Sequence, residues 1–329
     1  MLAFLAMAIM QSPGDPATWG REALEAIRRD YWMPESKLYS ERPDRKQPAF
    51  NWGVGVMLSA LAAAAKHDAA YKPRLREYVD ASRVYWNDGG YDVLPAPKPK
   101  DRYYDDNAWM ALALAEAGEV LGDVKVLGWT KEALDFALSG EAADGGIYWR
   151  ESDRASRNTC ACAPTAAACL TLASSDPDLF ERARRIVDWT RKNLEDPSDG
   201  LYWDSISNGG KLDRTKWTYN TALMIRAAVD LGERELAQRM VTASRKRWLR
   251  ERRLDDPGRF AHLLLEAWIK SGVDPAEMLP ILQAVKDAQS KSGRYPAHWS
   301  KLEVDENAEL LDQAAFARAC FVVANAMKR

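Results

Sequence analysis

The sequence predicts an all-α fold: six helical hairpins closed into a toroid, an (α/α)6 barrel. Three observations carry this. Helical apolar periodicity recurs twelve times along 329 residues, a Gly-aromatic motif recurs between the helices, and alternate helices differ in composition. With 47% apolar residues the chain has enough hydrophobic mass for one large core.

The first hairpin is read from 17–32 and 50–66, the second from 71–86 and 106–118, and the third from 123–139 and 158–173. The fourth takes 176–194 and 216–230, the fifth 233–250 and 259–270, and the sixth 276–289 and 307–326. Leu75, Val79 and Trp86 mark the stripe of the third helix; Ile186, Trp189 and Leu194 mark that of the seventh. Asp88-Gly89-Gly90-Tyr91, Asp144-Gly145-Gly146-Ile147-Tyr148-Trp149 and Asp199-Gly200-Leu201-Tyr202-Trp203 recur at about 55-residue intervals. Pro257-Gly258-Arg259-Phe260 and Ser292-Gly293-Arg294-Tyr295 are shortened relatives. Glycine permits the turn backbone, and the aromatics after it can line a surface or cover a helix end.

Segments such as 181–192 and 233–250 carry one apolar stripe and a charged opposite side, as outer helices should. Segments such as 52–65, 108–117 and 164–173 are rich in Ala, Leu and Met, and small residues let inner helices approach a common axis. An open superhelical solenoid uses the same local pattern. Six pairs without a polar terminal cap favour closure, so residues 17–329 read as a single catalytic domain.

Residues 1–16 stand apart. Met1 to Met10 are almost wholly apolar and end just before Gln11-Ser12-Pro13-Gly14, too short a run to span a bilayer. They resemble the core of an export signal, without a basic start or a clean Ala-x-Ala site. The expectation is export to the periplasm or beyond, with a packed N-terminal segment of a cytoplasmic protein as the alternative. No later segment reads as transmembrane.

Forty-six Lys and Arg against 48 Asp and Glu leave a formal charge of −2, which argues against a nucleic-acid binder. The run Arg245-Lys246-Arg247 with Arg250, Arg252 and Arg253 reads as a solvated helix face rather than a polyanion site. Cys160, Cys162, Cys169 and Cys320 lie in Ala-rich apolar stretches and read as small buried hydrophobes. Cys160-Ala161-Cys162 has the wrong spacing for a common zinc or redox pair, and His67, His262 and His298 form no short ligand motif. No metal is expected, although calcium held by Asp and carbonyl oxygens stays open. Oligomeric state is likewise left open.

The chemistry concentrates in Arg102-Tyr103-Tyr104-Asp105-Asp106-Asn107-Ala108-Trp109, at the start of the second inner helix. The preceding loop, 91–101, holds Pro95, Pro97 and Pro99 and can form a rim. Adjacent helical acids have Cβ atoms roughly 5–6 Å apart. A retaining glycosidase needs its two carboxyl groups about 5–5.5 Å apart, whereas an inverting one needs more room for a water. Mutual repulsion raises one proton affinity above the other, giving one nucleophile and one proton donor. The competing explanation is capping, with Asp105 bonding the helix start and Asp106 favouring its first turn. Other inner-helix starts offer amides and rings: Asn51 and Trp52 on the first, Asn158 on the third, Trp217, Tyr219 and Asn220 on the fourth. Arg259 and His262 lie near the fifth, and Asp305-Glu306-Asn307 precedes the sixth.

Trp52-Gly53, the run from Tyr104 to Ala113, and Trp217-Thr218-Tyr219-Asn220 together resemble glycoside hydrolase family 76, the endo-acting α-1,6-mannanases and relatives, over about residues 20–327. The resemblance implies an (α/α)6 barrel that hydrolyses α-1,6-mannosides with retention and needs no organic cofactor. It implies Asp105 as nucleophile and Asp106 as general acid/base, acting on a poly- or oligosaccharide. Asn51, Trp52, Tyr104, Asn158, Trp217, Tyr219 and Asn220 become candidate substrate contacts. Three departures bear on sugar specificity rather than on the acids: Tyr104 where Trp is frequent, a loosely matching Arg157-Asn158-Thr159-Cys160, and Thr221-Ala222 in place of Gln-Gly. Three other functions remain. A uronic-acid enzyme would need a basic subsite, for which Arg102 and Arg259 are available. An epimerase would need a His centre, and a scaffold or non-catalytic glycan binder would need no acid pair.

Overall fold

The computed structural model describes residues 14–328, so the apolar run assigned to an export signal lies outside the described residues. Twelve α-helices alternate between an outer and an inner position. The outer series is α1 (Pro16–Tyr31), α3 (Lys72–Ser82), α5 (Val124–Leu138), α7 (Asp178–Leu194), α9 (Arg234–Trp248) and α11 (Leu279–Asp287). The inner series is α2 (Asn51–His67), α4 (Tyr104–Leu121), α6 (Thr159–Leu172), α8 (Thr218–Asp230), α10 (Gly258–Lys270) and α12 (Leu310–Met327). Each inner helix packs on the next, α2 on α4, α6, α8, α10 and α12 in turn, and α12 returns to α2. That last contact closes the ring and excludes the open solenoid.

Composition explains which helices are inside. In α6 every residue from Thr159 to Cys169 is buried, and all eleven are Ala, Cys, Thr or Pro. On α2, a Cβ at Gly55 would meet the Met110 sulfur of α4 at 3.5 Å. Outer helices keep one face wet: α7 buries Leu179, Ala183, Ile186, Val187 and Trp189 and exposes acids and arginines between them. By length and apolar composition α12 could cross a membrane, but it is an inner helix and 78% buried.

The connections are of two kinds, and this places the site. Inner-to-outer turns such as 121–124 and 230–234 are tight. Outer-to-inner loops are mostly long, spanning 32–50, 86–103, 139–158, 195–217, 249–257 and 288–309, and all gather where the inner helices begin. They fold back as small antiparallel ribbons, the largest being two three-stranded ones, 32–33, 38–42 and 45–48, and 156–158, 205–207 and 212–213. Strands this short carry no apolar alternation, so the sequence does not announce them.

The Gly-Gly repeat has a packing cause. Gly89 and Gly145 turn the chain at φ 89° and 99°. The next glycines lie flat under rings of the following outer helix: a Cβ on Gly90 would come within 2.8 Å of Phe136, and on Gly146 within 2.6 Å of Trp189. The residue after the glycines is then gripped by the fourth residue of its inner helix. Asn107 accepts from the Tyr91 N–H (2.7 Å) and donates to the carbonyls of Tyr91 (3.0 Å) and Tyr103 (2.9 Å). Gln313 repeats the grip on Tyr295, accepting from its N–H and donating to its carbonyl, both at 2.9 Å. This ribbon also corrects the third helix. Its α-helical part ends at Ser82, and Trp86 pairs across a hairpin with Tyr91 instead of continuing the stripe.

All four cysteines are buried and free. At the far end of the ring, Arg318 of α12 is buried and bonds Glu116 of α4 (3.1 Å) and Glu266 of α10 (2.8 Å). Burial alone would raise the Glu266 carboxyl, but the Arg318 and Arg226 charges pull it down to about 2.

Asn107 is fully buried, so Asn107→Ala strands the Tyr91 N–H and carbonyl without partners. The expected cost is about 2–4 kcal/mol, read as a lower denaturant midpoint at unchanged m-value. A loss below about 0.5 kcal/mol would mean that the grip does not organise the loop.

Candidate active site

Asp105 and Asp106 occupy the first turn of α4, side by side and partly exposed at the mouth. The loop after α5 crosses directly above them. The Tyr104 N–H donates to the Trp149 carbonyl (2.9 Å), and Tyr103 pairs with Arg150 as an isolated bridge. That crossing delivers Trp149, whose indole Nε1–H donates to Asp105 Oδ2 at 3.0 Å. The Asp106 N–H donates to Asp105 Oδ1 at 2.9 Å, and the Cys160 thiol adjoins the same carboxylate. Asp105 is not the cap: Tyr103 holds that position without a side-chain cap hydrogen bond, and Asp105 accepts its neighbour's N–H from inside the first turn.

The two acids differ in what supports their charge. Burial raises the Asp105 carboxyl to about 6, and the Trp149, Asp106 and Cys160 donors limit the rise. Asp106 accepts no hydrogen bond among the described residues. Burial, then the charges of Asp105 and Asp101, push it well above the carboxylate range. The dyad thus holds one proton, on Asp106, beside an Asp105 that ionises first.

The remaining inner-helix starts close around this pair. Trp52, Trp217 and Tyr219 come together about Phe260, which stacks on Tyr219 (4.5 Å between centroids) and on Trp52 (5.5 Å) and lies 5.1 Å from Trp217. The Cys160 thiol adjoins the Tyr219 hydroxyl as well as Asp105, joining the ring cluster to the acids. Asn158 and Asn220 converge on Asp204, donating at 3.4 and 3.3 Å. Burial raises the Asp204 carboxyl, and the Asn220 amide holds it back. Asn51 is buried with both side-chain polar atoms unpartnered, as are the Trp52 Nε1 and the Asn220 Oδ1.

Asn51 and Asn220 are fully buried below the cleft surface, and Tyr104 is turned away from the cleft altogether. Its ring is fully buried, stacks on Phe136 at 5.2 Å and covers Gly140, where a Cβ would sit 2.5 Å away. Its hydroxyl accepts from Arg154 (2.8 Å). As the first residue of α4 it points outward to α5 while Asp105 turns to the mouth, one helical step of about 100°. The exposed ring beside the acids is Trp149, with Tyr103 edge-on at 5.0 Å.

Trp149, Cys160, Asp204 and Phe260 were not singled out from the sequence. Trp149 ends one copy of the Gly-aromatic repeat and Phe260 another, so the repeat was the available signal. Asp204 follows a third copy directly. Among the described residues, neither Arg102 nor Arg259 forms a basic subsite, and no histidine centre forms. Arg102 is bound by Glu151 and by the carbonyls of Asn87 and Asp88, and Arg259 by Asp312 and Glu309. His262 is enclosed in α10 near Arg318, and burial holds it neutral. Among the described residues no group of three or more His, Cys, Asp or Glu side chains is placed to hold a metal.

Residues 21–235 match glycosyl hydrolase family 76. A GH76 α-mannanase from Bacteroides thetaiotaomicron superposes with a TM-score of 0.87 at 28% identity, over 96% of this chain and 97% of that one. An α-1,6-mannanase, GH76A, from Salegentibacter sp. HEL1_6 shares the fold (TM-score 0.79, 18% identity, 96% and 100% covered). An inactive variant of it with two neighbouring Asp→Asn substitutions, in complex with α-1,6-mannotriose, superposes equally well (TM-score 0.78, 18% identity, 96% and 100% covered). The meiotically up-regulated gene 191 protein of Schizosaccharomyces pombe is 26% identical over 54% of this chain, and the match spans 45% of that protein's length.

The raised dyad gives stability a sign. Folded protein binds the dyad's protons more tightly than unfolded chain, so this contribution is full near the ordinary Asp value and is lost as pH rises through about 6 and beyond. Asp106→Asn removes the Asp106 share of the loss and leaves that of Asp105. It is expected to melt higher than the parent at about pH 8, with the gap closing toward about pH 4. Scanning calorimetry at both pH values decides; a gap independent of pH would refute the shared-proton reading.

Proposed function

The chain belongs to glycosyl hydrolase family 76, and we propose that it hydrolyses α-mannosidic linkages of a poly- or oligosaccharide, α-1,6-mannan or a close relative, with retention of configuration. The observation that carries this is the split dyad: two adjacent carboxyls at one helix start, one supported as an anion and the other held as an acid, under an exposed indole. Support from relatives is the α-mannanase at 28% identity and the inactive α-1,6-mannanase variant whose two neighbouring aspartates are replaced.

Each step falls to a named group. The Asp105 carboxylate attacks the anomeric carbon as the glycosidic C–O bond breaks, and Asp106 gives its proton to the departing oxygen. Asp105 is now an ester, so the charge that raised Asp106 is gone and the freed Asp106 carboxylate can take a proton from water. That water attacks the anomeric carbon, the ester C–O bond breaks, and both carboxyls return to their starting states. The Trp149 indole, which donates to one oxygen of Asp105, leaves the carboxylate fixed for the attack. Phe260, Trp52 and Trp217, with Tyr219 packed behind them, offer apolar faces for the sugar, and Asp204, held by the buried Asn158 and Asn220, offers a hydroxyl partner. Adjacent positions in the chain fit the short carboxyl spacing of retention better than the wider spacing of inversion.

Asp105→Asn is expected to lose turnover of α-1,6-manno-oligosaccharides by about a thousandfold or more at unchanged fold. Asp106→Asn should slow substrates with poor leaving groups much more than activated aryl mannosides. Product anomers followed by NMR should begin as α. Normal turnover by both variants, or β product first, would overturn the assignment.

The pH profile of kcat/KM should be bell-shaped, with an acid limb near pH 6 where Asp105 ionises and an alkaline limb where Asp106 loses its proton. Activity that stays flat from about pH 4 to pH 6 would contradict these roles.

A further inference from the structure

Arg239, Thr242 and Lys246 of α9, with Arg250 just beyond its end, recur at three- or four-residue spacing and form one exposed stripe. The stripe walls a groove of about 1010 Å³, with Trp217 and Asp256 at its mouth end. The helix runs toward the mouth, so the groove descends from the rim down the flank of the barrel.

Its charge is unbalanced. Arg239, Lys246, Arg247 and Arg250 have no carboxylate within ion-pair distance among the described residues, whereas Arg245, on another face of the same helix, pairs with Glu277. Lys216, also in the groove, is neutralised by Asp196 and Asp199, both at 2.7 Å. Lys216 faces two carboxylates, so one of these, together with Asp255 and Asp256, opposes the four cations and leaves a positive excess of one charge. Burial raises the Asp256 carboxyl to about 6, and its Oδ2 already receives the N–H (2.8 Å) and hydroxyl (2.6 Å) of Thr218. Several unpaired cations in one concavity add their potentials and attract an anion more strongly than scattered surface charges do.

The groove adjoins the sugar cleft through Trp217. Trp217 lines its upper end, and the same ring lies 5.1 Å from Phe260, which stacks on Tyr219 beside the dyad. A glycan chain leaving the cleft over Phe260 and Trp217 therefore meets the basic stripe. Resting on the mannoside reading above, we propose that this groove binds an anionic group carried by the substrate, a phosphate or a carboxylate, so that the preferred glycan is a charged α-mannan rather than a neutral one.

The test uses the full chain carrying Asp105→Asn, so that nothing is hydrolysed, and a second protein that adds R239S, K246S and R250S. Calorimetry compares neutral α-1,6-mannohexaose with the same hexaose bearing a terminal phosphate or a terminal carboxylate. The charged hexaoses should bind about tenfold tighter than the neutral one at low salt. The preference should fade at about 0.5 M salt and vanish in the triple variant, while neutral binding stays unchanged. The larger gain, with phosphate or with carboxylate, identifies the group. Equal affinity for charged and neutral hexaoses, or a preference that survives the triple variant, overturns the proposal. So does tighter, equally sensitive binding to anionic vesicles or duplex DNA. Inorganic tripolyphosphate separates the two readings. If it binds in a triple-sensitive manner while no hexaose binds, the mannoside reading fails and the anion groove stands; if neither binds, the groove fails.

Discussion

Closing six inner helices around one axis forces their N-termini to a single mouth, and the site depends on that convergence. The closure requires small side chains where helices touch, which Ala, Gly, Cys and Thr supply along α2, α4 and α6. Because the outer-to-inner loops must end at the same mouth, each loop can lay its residues over a neighbouring helix start. The loop after α5 does so above α4 and brings Trp149 to Asp105. The ring thus acts as a frame, and the loops supply most of the particular chemistry.

Within that frame the dyad is governed by two opposed effects. The start of α4 favours an anion through its free N–H groups, and enclosure by protein disfavours one. Two ionised neighbours would face both enclosure and mutual repulsion. The indole, the Asp106 N–H and the Cys160 thiol settle which carboxyl keeps the charge, since all three act on Asp105 and none on Asp106. The same asymmetry reverses once Asp105 is esterified, which lets one residue serve as acid and then as base.

Features set by local pattern were readable in the sequence, and features set between hairpins were not. Helix count, the inner and outer series and the position of Asp105 and Asp106 at a helix start follow from periodicity and composition. The Gly-Gly repeat was visible, but its reason, rings of Phe136 and Trp189 lying over Gly90 and Gly146, joins residues some 45 positions apart. The convergence of Asn158 and Asn220 on Asp204, and of three predicted rings on Phe260, likewise joins separate hairpins. Tyr104 shows the reverse failure: its place beside the dyad in sequence suggests a sugar contact, yet one helical step turns it into the α5 packing layer. The basic run near Arg245 read as a solvated face, and only folding shows which of its members lack partners.

The central claim is that Asp105 forms the covalent bond while Asp106 handles the proton. It is tested most directly by incubating the protein with an activated fluorinated α-mannosyl donor whose glycosyl ester hydrolyses slowly, then mapping the labelled peptide by mass spectrometry. The account predicts one added fluorinated mannosyl unit, located on Asp105. A label on Asp106 or Asp204, or turnover of the donor with inversion and no adduct, would contradict it.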